Sequence, residues 1–139
     1  MRAIGNKSFL AYPLRRLGYL ALEQGDILLA GKYLRESLTF NYEVGDIPGF
    51  TASLLSLAVL ALQLDKPIQA TQFYGLVERR LETYSIGLLY TDQTELSRIK
   101  DKLTAALPES VLDNAFSKGW EMSEEQAFEL AEKMITQGE

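Results

Sequence analysis

The chain has 139 residues, of which 47% are hydrophobic, which is the size of one domain with a buried core. It contains no cysteine and no histidine, so disulfides, Cys/His zinc sites, thiol catalysis and Ser-His-Asp triads are excluded together. The net charge of −5 argues against broad nucleic-acid or anionic-membrane binding, because neutralising phosphates needs clustered Lys and Arg.

Residues 1–10 read as an N-terminal remnant or partial helix, without the continuous apolar stretch of a signal peptide. The first full helix is expected near Tyr12 to Gln24. Gly25 suits the left-handed position just past its end, and Asp26 suits the N-cap of the next helix. "GDILLAGKY" offers Gly25 and then Gly31-Lys32, the letters of a phosphate loop. Yet five residues intervene, Asp26 to Ala30, and Tyr33 follows the lysine. The G-x-x-x-x-G-K-[S/T] spacing fails, and so does the hydroxyl that would ligate magnesium. Residues 27–42 are therefore expected to be helical, with no phosphate bound, and Ala30, Leu34, Ser37 and Leu38 share one face.

A second Gly-Asp-Ile, Gly45-Asp46-Ile47, ends this helix, and a third runs from about Gly49 to Leu64. Its run "TASLLSLAVLALQL", Thr51 to Leu64, is shorter than the roughly 20 residues that span a bilayer, and it reads as a buried helix. Asp65 serves as cap or turn residue. Pro67 sits near the first position of a fourth helix, where its missing N–H is harmless. That helix runs to about Tyr84. The pairs Arg15-Arg16 and Arg79-Arg80 read as solvated faces.

After the break "SIGLLYTD", Thr91 or Asp92 is expected to cap a fifth helix with Leu96, Ile99, Leu103 and Ala106/Leu107 on its apolar face. Pro108 starts a sixth, carrying Val111, Leu112, Ala115 and Phe116 and closed by Gly119. Trp120, in the break that follows, is read as pinning the last helix. Ser123 to Gln126, "SEEQ", form a capping box that opens a seventh helix with Ala127, Leu130, Ala131, Met134 and Ile135. Glu121, Glu124 and Glu125 favour the start of that helix through its dipole.

Sliding the chain against itself by 40 residues brings Leu14 onto Leu54, Leu17 onto Leu57, and Leu20-Ala21-Leu22 onto Leu60-Ala61-Leu62. Gly18 meets Ala58, Ala30 meets Ala70, and Tyr33 meets Phe73. Small residues match small ones at helical spacing, the mark of a repeat built from a helix pair. Gly18 opposite Ala30 allows a close crossing within the first pair.

These residues resemble the tetratricopeptide repeat. The first copy supplies Leu14, Leu17, Gly18, Ala21, Gly25, Ala30, Leu34 and Ser37; the second supplies Leu54, Leu57, Ala58, Ala61, Asp65, Ala70, Tyr74 and Val77. The second departs from the pattern at Asp65 and Val77. "VERRLETYSIG" (Val77 to Gly87) and "AFSKGWEMSEEQAFELA" (Ala115 to Ala131) are similar to the tail that ends tetratricopeptide arrays in bacterial LuxR-type regulators and related signalling ATPases.

The resemblance implies an all-α, tetratricopeptide-like superhelix of αα-hairpins. Two repeats of about 40 residues would occupy 11–84, and about three C-terminal capping helices would occupy 91–137. It implies a cytoplasmic, non-catalytic interaction or scaffold module of a signalling or transcriptional regulator. The partner would be a protein or peptide segment, or a second copy, with no cofactor, no metal, no membrane and no nucleic acid bound by this stretch. The groove positions carried over are Tyr12, Arg15, Tyr19, Leu22 and Glu23 in the first copy. In the second they are Ala52, Leu55, Val59, Leu62 and Gln63. The second set is almost wholly apolar, so the tail, another subunit or a partner should cover it. The alternative is a small-molecule inducer sensor that uses the same groove with Tyr19 and Arg15.

Overall fold

The computed structural model describes the backbone of residues 2–137 and the side chains of residues 13–136. Every regular element among them is an α-helix: α1 Arg2–Glu23, α2 Ile27–Val44, α3 Ile47–Gln63, α4 Pro67–Tyr84, α5 Tyr90–Ala106, α6 Glu109–Trp120 and α7 Glu124–Gln137. Helices α1 to α4 pack each on the next, α6 lies against α4, α5 touches α3 and α4, and α7 spans α2 and α4. The result is an all-helical, repeat-like stack with its tail folded back onto it.

The two Gly-Asp-Ile sequences set the turns. Gly25 and Gly45 adopt φ of +80° and +72°, conformations that a Cβ disfavours. Asp26 and Asp46 then cap α2 and α3, accepting from the N–H groups of Leu29 at 3.2 Å and Gly49 at 2.9 Å. The stretch "GDILLAGKY" is thus a helix end, a cap and the first turns of α2. Helix α3 begins at Ile47 rather than Gly49, because the Asp46 cap starts it earlier. Helix α1 begins at Arg2, so Pro13 lies inside it. At the other end of the chain, Ser123 N–H donates to Gln126 Oε1 at 2.9 Å and Gln126 N–H donates to Ser123 Oγ at 3.1 Å, a reciprocal capping box.

Asp65 stands where the first copy has Gly25, yet it takes φ of +58°. A side chain in the left-handed region costs about 1–2 kcal/mol. Glycine gives back about 0.4–1 kcal/mol through the freedom of its unfolded chain. Asp65→Gly is expected to stabilise the fold by about 0.5 kcal/mol in urea unfolding; a lower midpoint would contradict this account of the turn.

The core centres on α3, which is apolar nearly all round and correspondingly buried. Phe50, Leu54, Leu55, Leu57 and Leu60 are all fully enclosed. Three buried polar side chains join α2 to α3: Ser37 Oγ and Ser53 Oγ lie 2.9 Å apart, and Asn41 Nδ2 donates to Ser53 Oγ at 2.9 Å. Gly18 lies over Leu34, and a Cβ there would come within 2.5 Å of the Leu34 side chain, with the Ala30 carbonyl at 3.6 Å. Gly31 takes the side chain of Ile135 from α7, which is why a glycine is tolerated inside α2. Phe128 on α7 sits edge-on to Tyr42 and Phe50, with ring centroids 5.1 and 5.9 Å away.

Two local readings change. Gly119 does not close the sixth helix; it lies inside α6, where a Cβ would strike the Gln72 carbonyl of α4. Gly75 on α4 faces the Phe116 carbonyl in the same way. Helices α4 and α6 therefore meet backbone to backbone, through two glycines that local rules treat as unfavourable or terminal. Trp120 ends α6 and ties it to α4, its carbonyl accepting from Arg79 Nη1 at 2.8 Å.

The arginine pairs are not solvated faces. Arg15 and Arg80 are buried, 8% and 2% exposed; neighbours on a helix point about 100° apart, so each can face inward while the adjacent arginine does not. Arg80 Nε donates to Thr51 Oγ1 at 2.8 Å, and its Nη1 meets Glu124 Oε2 at 3.0 Å. Its guanidinium lies over Phe50, 4.7 Å from the ring centroid.

Candidate functional site

Of the residues assigned to a concave groove, Arg15 and Ala52 lie beside Asp92 of α5, and Val59, Leu62 and Gln63 line a cleft against the same helix. Tyr12 is outside the described side chains. Arg15 Nη1 reaches Asp92 Oδ1 at 2.9 Å, with both side chains buried. Asp92 is thus not the cap of α5; that helix starts at Tyr90 with no side-chain cap bond, and Asp92 points inward to Arg15. Leu22 and Leu55 belong to the core. Ala52 is buried beside the Arg15–Asp92 pair, in a cleft of about 260 Å³ that Asn41 and Asp46 also line. Val59 and Leu62 are half-buried and, with the exposed Gln63, face Glu95, Ile99 and Lys102 of α5 across a cleft of about 300 Å³. Glu23 is exposed. Of the three covers considered for the apolar second-copy groove, the tail is the one in place.

Tyr19 lies under this cover. Its hydroxyl is shielded and makes no hydrogen bond of good geometry; Ser56 is close, but its Oγ donates to the Ala52 carbonyl at 3.1 Å. Burial pushes the Tyr19 phenol from 10.0 up to about 12; Ser56 opposes the rise, the Asp92 charge adds to it and Arg15 counters it. Tyr74 is raised as well, by burial and by donating to Glu78 Oε2 at 2.8 Å. Unfolded tyrosines release their protons first, so the native state holds more protons above pH 10 and stability falls as pH rises from about 10 to 12. Phenolate absorbance should show these two tyrosines titrating after the exposed ones until the chain unfolds; a single transition near pH 10 in the folded state would contradict it.

A cleft of about 860 Å³ lies between α4, α6 and α7. Lys118, Lys133, Glu129 and Glu132 bring both charge signs to it from exposed positions, so no single ligand chemistry is selected. Among the described residues, no three His, Cys, Asp or Glu side chains are grouped to hold a metal ion. No helix among them is long and apolar enough to cross a membrane.

A different surface stands out once the two copies are compared. Helix α3 meets α2 along Ser53, Leu57, Leu60 and Leu64: Ser53 bonds Ser37 and Asn41, while Leu60 and Leu64 border Ile27, Leu28 and Gly31. Forty residues earlier the same stripe on α1 is Pro13, Leu17, Leu20 and Gln24. Leu57 and Leu60 are fully buried, whereas Leu17 is 42% and Leu20 is 48% exposed. Leu28 and its counterpart Ile68 are exposed alike, 56% and 44%, so they mark ordinary surface rather than an unfilled position. At the far end of the array, α6 and α7 cover α4. The exposed edge was missed in the sequence, although the offset that paired Leu17 with Leu57 and Leu20 with Leu60 carried the signal. Asp92 also had a signal. It shares the stripe of Leu96, Ile99 and Leu103, where a capping residue does not belong. Compared with family models, curated proteins and solved structures, the chain matches none.

Proposed function

We propose that this chain is a non-catalytic protein–protein interaction and scaffold module that engages its partner by helix stacking on the α1 edge. One observation carries the reading: Leu17 and Leu20 are exposed at the positions where the second copy buries Leu57 and Leu60. In stacked repeats the terminal units need a polar outer face, and this edge is apolar. The resemblance to bacterial signalling and transcriptional regulators gives the setting, a scaffold or sensor end of a larger regulator. An ATPase module and a DNA-binding module encoded beside it would support that setting.

The test is crosslinking with mass spectrometry on the full chain in its source cells, comparing the parent with Leu17→Glu/Leu20→Glu. Both leucines are exposed, so the variant should fold. The parent is expected to recover a protein partner, or itself, at tenfold or more the level of the variant. Equal recovery by both would remove the edge from the proposal, and no protein, peptide or self-association partner at all would end it.

The inducer-sensor reading has weaker support. Its polar anchor, Arg15, is engaged by Asp92. The adjoining cleft of about 260 Å³ is below the roughly 300–1,000 Å³ of small-molecule sites. A thermal-shift screen over metabolites would revive it only with a hit that Arg15→Met abolishes.

A further inference from the structure

The cleft of about 260 Å³ beside Arg15 and Asp92 is polar at its floor and apolar at its mouth. We infer that it receives one lysine side chain of a partner protein, with the ammonium group on Asp46 Oδ2 and Asn41 Oδ1 and the methylene stem between Pro48 and Leu89. The inference rests on the interaction-module reading and adds to it a second contact, apart from the α1 edge.

Charge selects the ligand. Arg15 is matched by Asp92, Nη1 to Oδ1 at 2.9 Å, so that pair is neutral within itself. Asp46 is the unmatched charge among the described residues that line the cleft. Its Oδ1 accepts the Gly49 N–H at 2.9 Å to cap α3, and its Oδ2 has no donor among the described residues. Asn41 is 3% exposed and donates through Nδ2 to Ser53, so its Oδ1 is the buried acceptor that remains. The two oxygens converge at Gly49, where an added Cβ would lie 2.5 Å from each. Two acceptors brought to one point, one charged and one on a buried side chain, call for a shared donor. An ammonium group carries three N–H bonds and a positive charge on a single nitrogen, whereas a guanidinium spreads its donors over a planar fork. An anion would meet the Asp46 carboxylate with the Arg15 charge already matched.

The mouth selects the source. Pro48 is exposed, and Leu89 and the adjoining Tyr90 are 55% and 82% exposed. The four-carbon stem of a lysine lies along such apolar surface while its head reaches polar groups. The volume is below that of drug-sized ligand sites and suits one long side chain. A free amine would leave Leu89 and Tyr90 in water, whereas a protein segment with apolar residues beside its lysine covers them.

The probe is the peptide acetyl-Leu-Lys-Leu-amide, titrated into the isotope-labelled full chain and followed by amide chemical shifts. Saturable shifts centred on Gly49, Gly87 and Asp92 are expected, with millimolar affinity. The norleucine and glutamate versions of the peptide should each bind at least about tenfold more weakly, the scale of a hydrogen bond to a charged group. Asp46→Asn should weaken the lysine peptide as much while α3 stays capped, because asparagine caps a helix as well as aspartate does. Asp26→Asn, at the cap of α2 and outside the cleft, is the control and should leave binding unchanged. Leu89→Ser, at the N-cap position of α5 where serine is favoured, should weaken the peptide but not butylammonium. No saturable shift, shifts away from the cleft, or binding indifferent to Asp46→Asn overturns the inference. So does equal binding of the norleucine peptide, which would mean apolar capture alone. Butylammonium bound as tightly as the peptide overturns the protein source. The crosslinking is read on Leu17 and Leu20, so failure of the peptide leaves the α1 edge standing, and failure of the crosslinking with the peptide bound ends the edge and not the cleft.

Discussion

Gly119→Ala is expected to destabilise the fold by about 3 kcal/mol, the upper part of the range for overpacking a tight contact. The added methyl would meet the Gln72 carbonyl and its flanking backbone atoms on α4, and no rotamer change moves a backbone. Helix α6 must shift away, and the contacts of Phe116 with Tyr74 and of Trp120 with Arg79 would loosen with it. Gly75→Ala tests the same crossing from the other side, against the Phe116 carbonyl. Gly87→Ala is the control: nothing lies near its added Cβ and its φ is not in the left-handed region, so it should be neutral or slightly stabilising. Urea midpoints, measured with unchanged slope, decide between them. Equal midpoints for Gly119→Ala and Gly87→Ala would mean that α4 and α6 are not in backbone contact.

That crossing also marks the boundary of what the sequence makes legible. Signals contained within a few residues read correctly: Gly25 with Asp26, Ser123 with Gln126, and the all-round apolar α3 each follow from local chemistry. The repeat read correctly because it compares the chain with itself. Gly119 did not, because a glycine that ends a helix and one that admits a neighbouring backbone are the same letter. Local rules know only the first. Gly75 had no local reason to be a glycine at all. Arg15 and Arg80 failed for a related reason. A charge in a pair looks solvated until its partner is known, and the partners lie 77 and 44 residues away, at Asp92 and Glu124. The groove positions come from a single periodicity on α1 and α3, which Leu22 and Leu55 share with the core. Their cover was not legible, because α5 shows only a narrow apolar stripe, Leu96, Ile99 and Leu103, within a polar sequence, and the buried ion pair that joins it to α1 spans 77 residues.

That pair sets the second large effect. Asp92→Ala is expected to cost about 3–5 kcal/mol, the usual penalty for removing one partner of a buried ion pair. Asp92 and Arg15 are each more than nine-tenths buried, so water does not replace the lost carboxylate, and the guanidinium keeps its desolvation cost without its nearest counter-charge. Arg15→Met/Asp92→Leu removes both charges and fills similar volume, and such replacements are neutral or stabilising by about 1–4 kcal/mol. The double variant should therefore recover most of the loss, a coupling that a double-mutant cycle reads directly. The consequence is local as well as global. Asp92 anchors the first turn of α5, so its loss should raise hydrogen exchange in α5 and in the Leu55 to Leu62 segment beneath it, ahead of α2. Leu17 and Leu20 lie outside this cover, so a binding defect of Leu17→Glu/Leu20→Glu should persist unchanged in the charge-free double variant. If Asp92→Ala instead leaves stability and α5 exchange as they were, Arg15 and Asp92 do not hold the helix in place, and the groove is closed by apolar contact alone.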